Sequence, residues 1–342
     1  MVNSMKRILI WLAISALMMA IPLISEAEQV KWNENTPIGE VIAYPGFGDW
    51  GRLIFPVDEG YYSGSTLKDL RLTWYSNIQP AKTVEIVNYL KEKADVGETV
   101  FCDIYTDAEK AADPWKADTG LFFFKADCRR DNDPADPRDG GDAARPLIAQ
   151  SRAKFAICNA GGGFAYVGAM HDSFPHALEL SRKGYNAFAL IYRPGAQTAC
   201  EDLARAIAFI HEHAEELAVD VTDYSLWGGS AGARMAAWLG SYGTAAFGEA
   251  EYPRPGAVIM QYTGLSEIYG NEPPTYNCVG TNDGIASYRT MERRIAAIQK
   301  NSTDAMIEVF PGLSHGFGLG TGTVAEGWID NAVAFWERNM NR

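Results

Sequence analysis

Tyr224-Ser225-Leu226-Trp227-Gly228-Gly229-Ser230-Ala231-Gly232 decides the reading of this chain. Its last five residues spell G-x-S-x-G. The four before them form a short apolar strand, and Ala231 to Leu239 read as a helix with Met235, Ala236 and Trp238 as apolar members. A serine on so sharp a strand-to-helix turn is held in a strained backbone conformation. Glycines two residues to either side let neighbouring chain pack close, and the hydroxyl projects clear of the sheet with a helix N-terminus behind it. The expectation is a nucleophile elbow at Ser230.

A serine hydroxyl is a poor nucleophile by itself. It needs a base, an acid to orient that base, and donors for an oxyanion. In a parallel sheet these belong at the carboxyl ends of strands, in chain order serine, acid, histidine. Of the five histidines only His315 follows Ser230, in the loop Gly312-Leu313-Ser314-His315-Gly316-Phe317-Gly318, five residues beyond a strand ending at Phe310. A lone loop histidine is usually idle; here order, loop and strand position coincide. His211 and His213 lie inside a helix, and His171 and His176 flank the start of another. For the acid, Asp283 in Gly280-Thr281-Asn282-Asp283-Gly284 follows the strand at Tyr276 to Val279. Asn-Asp-Gly is also strong turn chemistry, so Asp283 can serve the turn as well. Glu267, Glu272 and Asp304 lack that combination of strand end and tight loop. Asn159-Ala160-Gly161-Gly162-Gly163-Phe164 follows the strand at Phe155 to Cys158 and lets backbone approach an acyl oxygen. The amides of Gly162, Gly163 and Ala231 are the expected oxyanion donors.

Around these landmarks the chain alternates strand and helix from Lys154 onward. Strands are expected at 155–158, 187–191, 224–227, 257–261, 276–279 and 306–310. Helices are expected at 174–183, 285–299 and from a capping box at Thr198-Ala199-Cys200-Glu201, with Leu203, Ile207, Ile210, Ala214 and Leu217 on one face. A second box at Thr323-Val324-Ala325-Glu326 is expected to open a last helix through Trp336. Upstream, a helix is read from Ala81 to Lys93, and strands at 99–105 and 121–126 as an antiparallel pair entering the sheet. The fold class is α/β: a mostly parallel central sheet with helices on both faces, preceded by an N-terminal extension.

This order of strand, triple-glycine loop, G-x-S-x-G elbow, Asp loop and His loop resembles the α/β-hydrolase superfamily, most closely its bacterial carboxylesterase and acetyl xylan esterase-like branch. The resemblance spans about Thr99 to Arg342. It implies Ser230, Asp283 and His315 as nucleophile, acid and base, Gly161-Gly162-Gly163 as the oxyanion loop, and no metal or organic cofactor. Ala160 stands where many relatives carry His or Pro, and Ala233 where many carry a further glycine. Neither departure touches the triad.

Residues 1–27 read as a secretory leader: Lys6 and Arg7, an apolar run from Ile8 to Ile24, and a Ser25-Glu26-Ala27 cleavage site. The run is short for a spanning helix and is broken by Pro22. The expected product is secreted or periplasmic and has no stable membrane anchor. Cleavage leaves 342 less 27, or 315 residues, divided into an extension or cap at 28–98 and a catalytic domain at 99–342. The formal charge of −13 becomes −14 without Lys6, Arg7 and Glu26, which disfavours nucleic acid as a partner. With 47% hydrophobic residues the chain can fill a core, which excludes disorder for most of its length. The five cysteines show no C-x-x-C spacing, and in an exported protein Cys102 and Cys128, which flank the expected hairpin, could form a bridge. The Asp-rich stretch 127–142 does not match a calcium loop.

The function these residues point to is hydrolysis of short-chain carboxylic esters, on a small-molecule or carbohydrate substrate, acetyl groups of plant polysaccharide being one. An exported serine peptidase of the same fold and a catalytically silent binding protein are the other readings. Phe164, Tyr166, Trp50 and Tyr62 are candidate substrate contacts, although ordinary core packing also explains them. Oligomeric state is not readable from the sequence.

Overall fold

The computed structural model describes residues 31–56, 64–127 and 152–340. The leader, Tyr62, Cys128 and nearly all of the Asp-rich stretch lie outside the described residues. Residues 33–342 make up one compact unit, so the described part of the N-terminal extension belongs to the same body as the sheet.

Eight strands form a single sheet. They are β1 (Phe101–Cys102), β2 (Gly120–Phe124), β3 (Ala153–Asn159), β4 (Asn186–Ile191), β5 (Val219–Gly229), β6 (Ala257–Gln261), β7 (Thr275–Gly280) and β8 (Ala305–Phe310), in spatial order β1-β2-β4-β3-β5-β6-β7-β8. The β1–β2 and β2–β4 pairs are antiparallel and the remaining pairs are parallel. β2, β4, β6 and β7 are buried at every position. Helices cover both faces, so these sequences do not alternate apolar with polar residues, and β2 and β6 are nearly continuous apolar runs. Leu226 of β5 sits between Ile157 of β3 and Val258 of β6, and all three are buried.

The helices that flank the sheet are α1 (Ile38–Ile42), α2 (Pro80–Asp95), α3 (Asp107–Ala112), α4 (Ala169–Asp172), α5 (Phe174–Arg182), α6 (Ala196–Glu212), α7 (Ala231–Tyr242), α8 (Tyr288–Lys300) and α9 (Trp328–Asn339). Both expected capping boxes are displaced. α6 starts at Ala196, two residues before Thr198, with Gly195 at its N-cap. Gly195 takes φ 99° and donates its N–H to the Phe164 carbonyl, so a tertiary contact sets that boundary. α6 also stops at Glu212, leaving Ala214 and Leu217 beyond it. Thr323 makes a turn, its hydroxyl bonded to the Gly320 carbonyl, and α9 begins only at Trp328. α8 starts at Tyr288, because the Asp283 carboxylate takes the N–H groups of Ile285 and Ala286 in a turn.

Cys102, Cys158, Cys200 and Cys278 are free, buried thiols, and the expected partner of Cys102, Cys128, lies outside the described residues. Burial pushes the Cys102 and Cys200 thiols up to about 12, which keeps them protonated and inert.

β5 runs straight into α7 through the elbow. A Cβ on Gly228 would lie 2.2 Å from the Gly232 carbonyl carbon, and one on Gly232 would lie 2.0 Å from the Asn159 carbonyl oxygen. Both obstacles are backbone. Gly232→Ala is therefore expected to push the end of β3 away from α7 and to destabilise the fold by about 1–3 kcal/mol. A urea denaturation midpoint equal to that of the parent protein would contradict this packing.

Candidate active site

Ser230 occupies φ 51°, ψ −110°, between the end of β5 and the first turn of α7. A β-carbon disfavours that region, and such outliers persist only where surroundings over-determine them. Here the Ser230 N–H is held by the Gln261 carbonyl at the end of β6, 2.9 Å away. His315 faces the hydroxyl: its Nε2 lies 3.2 Å from Ser230 Oγ. Its Nδ1 lies 2.8 Å from Asp283 Oδ2. The Asp283 side chain is fully shielded from solvent, and its other oxygen takes two backbone N–H groups. The acid is thus anchored by the turn that its sequence also suggests. A neutral imidazole in this setting carries its proton on Nδ1 toward Asp283 and presents Nε2 as acceptor to the serine. Gly280 permits the approach of the two loops, since a Cβ there would lie 1.9 Å from the Leu313 carbonyl oxygen.

The triple-glycine loop lies against the same serine. A Cβ on Gly161 would sit 3.0 Å from Ser230 Cβ. Gly161 N–H is already committed to Asp172 Oδ2 at 2.5 Å, whereas no partner among the described residues engages the N–H groups of Gly162, Gly163 or Ala231. Gly162 takes φ 132° and Gly163 φ 64°, which suits residues without a side chain. The structure therefore brings the three expected donors to the serine's side of the sheet. Ala160 is held from behind, its carbonyl accepting the Tyr192 hydroxyl at 2.6 Å. Burial keeps that phenol well above its usual range and so a donor.

The four aromatic candidates divide. Phe164 and Tyr166 continue the glycine loop; Phe164 stacks on Trp238 at 6.0 Å, and the Tyr166 hydroxyl bonds the Thr73 carbonyl. Trp50 is elsewhere. It stacks on Phe101 and packs edgewise on Phe122 and close to Phe47. Phe101 and Phe122 belong to β1 and β2 at the sheet edge, with β4 and β3 between them and β5. Trp50 braces that edge, so the plainer reading of its ring is the right one.

Two residues at the site went unread in the sequence. The first is Trp74, a non-glycine residue at φ 75° with 46% of its surface exposed. Its ring stacks on Tyr166 at 5.9 Å and fills the space over Gly163, where a Cβ would meet it at 3.0 Å. Its carbonyl takes the corresponding space at Gly316 in the histidine loop. The next residues clamp that loop: Ser76 donates its N–H to the Gly316 carbonyl and its hydroxyl to the His315 carbonyl. The second is Asp172, only 3% exposed, which takes hydrogen bonds from Gly161 N–H, Tyr75 and Tyr262. Trp74 stands apart from any periodic pattern in the sequence, so nothing local marks it out from the other aromatic residues of the N-terminal extension. Asp172 gave no local signal, because its partners are distant in sequence.

A cavity of about 200 Å³ is lined by Asn77, Gln79, Met170, His171, Gly318 and Leu319 among others. No triad residue lines it. Burial lowers the His171 pKa to about 4, so this ring is neutral near pH 7.

A mostly parallel sheet with a strained serine elbow at the end of an inner strand, and acid and histidine loops following in order, is the architecture of the α/β-hydrolase fold. Residues 142–262 match the family model described as BD-FAE. Among solved structures the chain is similar to an acetyl ester-xyloside bifunctional hydrolase from Caldicellulosiruptor lactoaceticus, at 18% identity over 70% of this chain and 95% of that one, TM-score 0.56. It is similar to esterase 2 of Thermogutta terrifontis with propionate bound, at 19% identity over 71% and 95%, TM-score 0.54. It is also similar to MGS-M1, an α/β hydrolase from a Medee basin deep-sea metagenome library, at 19% identity over 66% and 93%, TM-score 0.52. No curated protein matches the chain. These likenesses show that the chain shares the α/β-hydrolase fold of these proteins.

Trp74 rather than Trp50 should therefore govern discrimination between esters. Trp74→Ala is expected to raise KM for p-nitrophenyl benzoate about three- to tenfold while leaving KM for p-nitrophenyl acetate near that of the parent. Trp50→Ala should lower the melting temperature and leave the ratio alone. Equal shifts on both substrates in Trp74→Ala would remove the ring from the substrate wall.

Proposed function

We propose that this protein is an exported serine esterase that hydrolyses short-chain carboxylic esters, acetyl groups on plant polysaccharide among them. One observation carries the reading: His315 lies in hydrogen-bond reach of both Ser230 Oγ and the shielded Asp283 carboxylate. The match to BD-FAE and the fold shared with bacterial esterases support hydrolase chemistry at that site. The propionate bound in one structural neighbour and the acetyl ester in the name of another support short acyl groups.

In this mechanism Ser230 Oγ attacks the ester carbonyl carbon as its proton passes to His315 Nε2. The carbonyl π electrons move to oxygen, and the oxyanion accepts hydrogen bonds from Gly162, Gly163 and Ala231. Asp283 stabilises the imidazolium by hydrogen bonding to Nδ1–H. Collapse of the intermediate breaks the bond to the alcohol oxygen, which leaves with the proton from Nε2. Water then attacks the acyl-enzyme, giving its proton to Nε2, and the second intermediate expels Ser230, which recovers that proton. Helix α7 directs its N-terminus at the site and favours the negative charge that develops there. The exposed Trp74 face, with Tyr166 and Phe164, offers one wall for the substrate.

Ser230→Ala is expected to lower kcat on p-nitrophenyl acetate by several orders of magnitude with an unchanged melting temperature, and to abolish labelling by a fluorophosphonate. Retained turnover and labelling would show that another serine is the nucleophile. Turnover of aminoacyl amides with none of esters would instead favour a peptidase.

Export is carried by the leader-like residues 1–27 alone. The mature protein is expected to begin at Glu28, as read by N-terminal sequencing of the secreted or periplasmic form. Protein that starts at Met1 and stays in the cytoplasm would overturn it.

A further inference from the structure

We infer that Asp172 is a positioning residue for the oxyanion loop, a role that rests on the esterase reading above. Asp172 is the last residue of α4, immediately beyond the glycine loop, and its side chain turns back beneath the serine. Oδ2 accepts Gly161 N–H at 2.5 Å and the Tyr75 hydroxyl at 3.2 Å; Oδ1 accepts the Tyr262 hydroxyl. Burial, reinforced by the Asp172 carboxylate, holds both phenols well above their usual range, so they remain donors. Gly229 makes room for the carboxylate, since a Cβ there would lie 2.3 Å from Oδ2.

Each partner belongs to a different part of the site. Gly161 opens the oxyanion loop, and a Cβ on it would lie 3.0 Å from Ser230 Cβ. Tyr262 follows β6 and packs its ring on His315 at 5.0 Å. Tyr75 belongs to the segment that clamps the histidine loop through Ser76. A buried carboxylate that takes donors from all three fixes their mutual geometry. With Gly161 committed to Asp172, the next two amides in the loop are left to face the substrate. Loss of that anchor lets the loop relax, and a displacement near 1 Å of the oxyanion donors costs about 10²-fold in rate.

The side-chain chemistry offers a graded test in the full chain. Asp172→Leu keeps bulk and removes every acceptor. Asp172→Asn can keep its amide oxygen on Gly161 N–H while its NH2 donates to Tyr262, whose hydroxyl can also accept. Three quantities are read: kcat and KM on p-nitrophenyl acetate, the inhibition constant of an aryl trifluoromethyl ketone, and the melting temperature. The ketone forms a tetrahedral adduct with the serine and so reports the oxyanion donors. Asp172→Leu is expected to lose about 10²-fold in kcat and a matching factor in ketone affinity, with KM within about threefold. Asp172→Asn should recover most of both. Adding Tyr262→Phe to Asp172→Asn removes the group that orients the amide, so the double variant should fall well below the product of the single effects. This arm remains informative if Asp172→Leu does not fold. A folded Asp172→Leu with parental kcat and ketone affinity, or a double variant whose losses simply multiply, would overturn the assignment. Active Ser230→Ala would instead sink the esterase reading itself. Inactive Ser230→Ala with fully active Asp172→Leu sinks only the role of Asp172.

Discussion

The site depends on the backbone at Ser230. Its φ of 51° and ψ of −110° place a residue with a β-carbon in a sparsely populated region, at a cost of order 1–3 kcal/mol. The surrounding structure holds it there from three sides. Gln261 takes its N–H, Gly228 and Gly232 let the incoming strand and outgoing helix touch, and Gly232 seats α7 against the end of β3. The last contact links the nucleophile to the oxyanion loop, because the chain passes from Asn159 at the end of β3 into Ala160 and the three glycines. One close backbone approach thus sets the elbow and the start of the loop that faces it.

Much of this was legible because it is local or because order along the chain carries it. The strands buried on both faces advertise themselves as apolar runs, and the elbow glycines stand beside the serine they serve. Asp283 and His315 were found by their place after strand ends, although 32 positions of chain separate them. The turn chemistry around Asp283 was no distraction: one carboxylate oxygen makes the turn while the other holds the imidazole.

What was not legible depends on contacts between distant segments. Thr198 to Glu201 satisfies the spacing of a capping box, yet α6 begins earlier because Gly195 is tied to Phe164 of the oxyanion loop. Local propensity offered one boundary and tertiary bonding chose another. Trp50 and Trp74 have similar surroundings in sequence, aromatic residues and nearby turns. Their roles separate only when β1 and β2 are placed at the sheet edge, under Trp50, and Gly163 and Gly316 are placed under Trp74. Asp172 looks like one more polar residue at a helix end until Tyr75 and Tyr262 are seen to donate to it.

The N-terminal extension takes its place in this scheme through a short piece of chain. Residues 73–77 bridge the two loops that flank Ser230: Thr73 accepts from Tyr166 of the glycine loop, and Ser76 and Asn77 bond the carbonyls of His315 and Phe317. Each of these bonds joins a loop to a loop, and loops tolerate displacement that strands do not. Between them Trp74 accepts an unfavourable φ, a cost that the clamp at either side sustains. Residues 73–77 therefore strap the glycine loop to the histidine loop. Trp74, an exposed ring among the described residues of the extension, is placed by the same contacts that hold His315 beside Ser230, so the ring and the alignment of His315 depend on a single structural element.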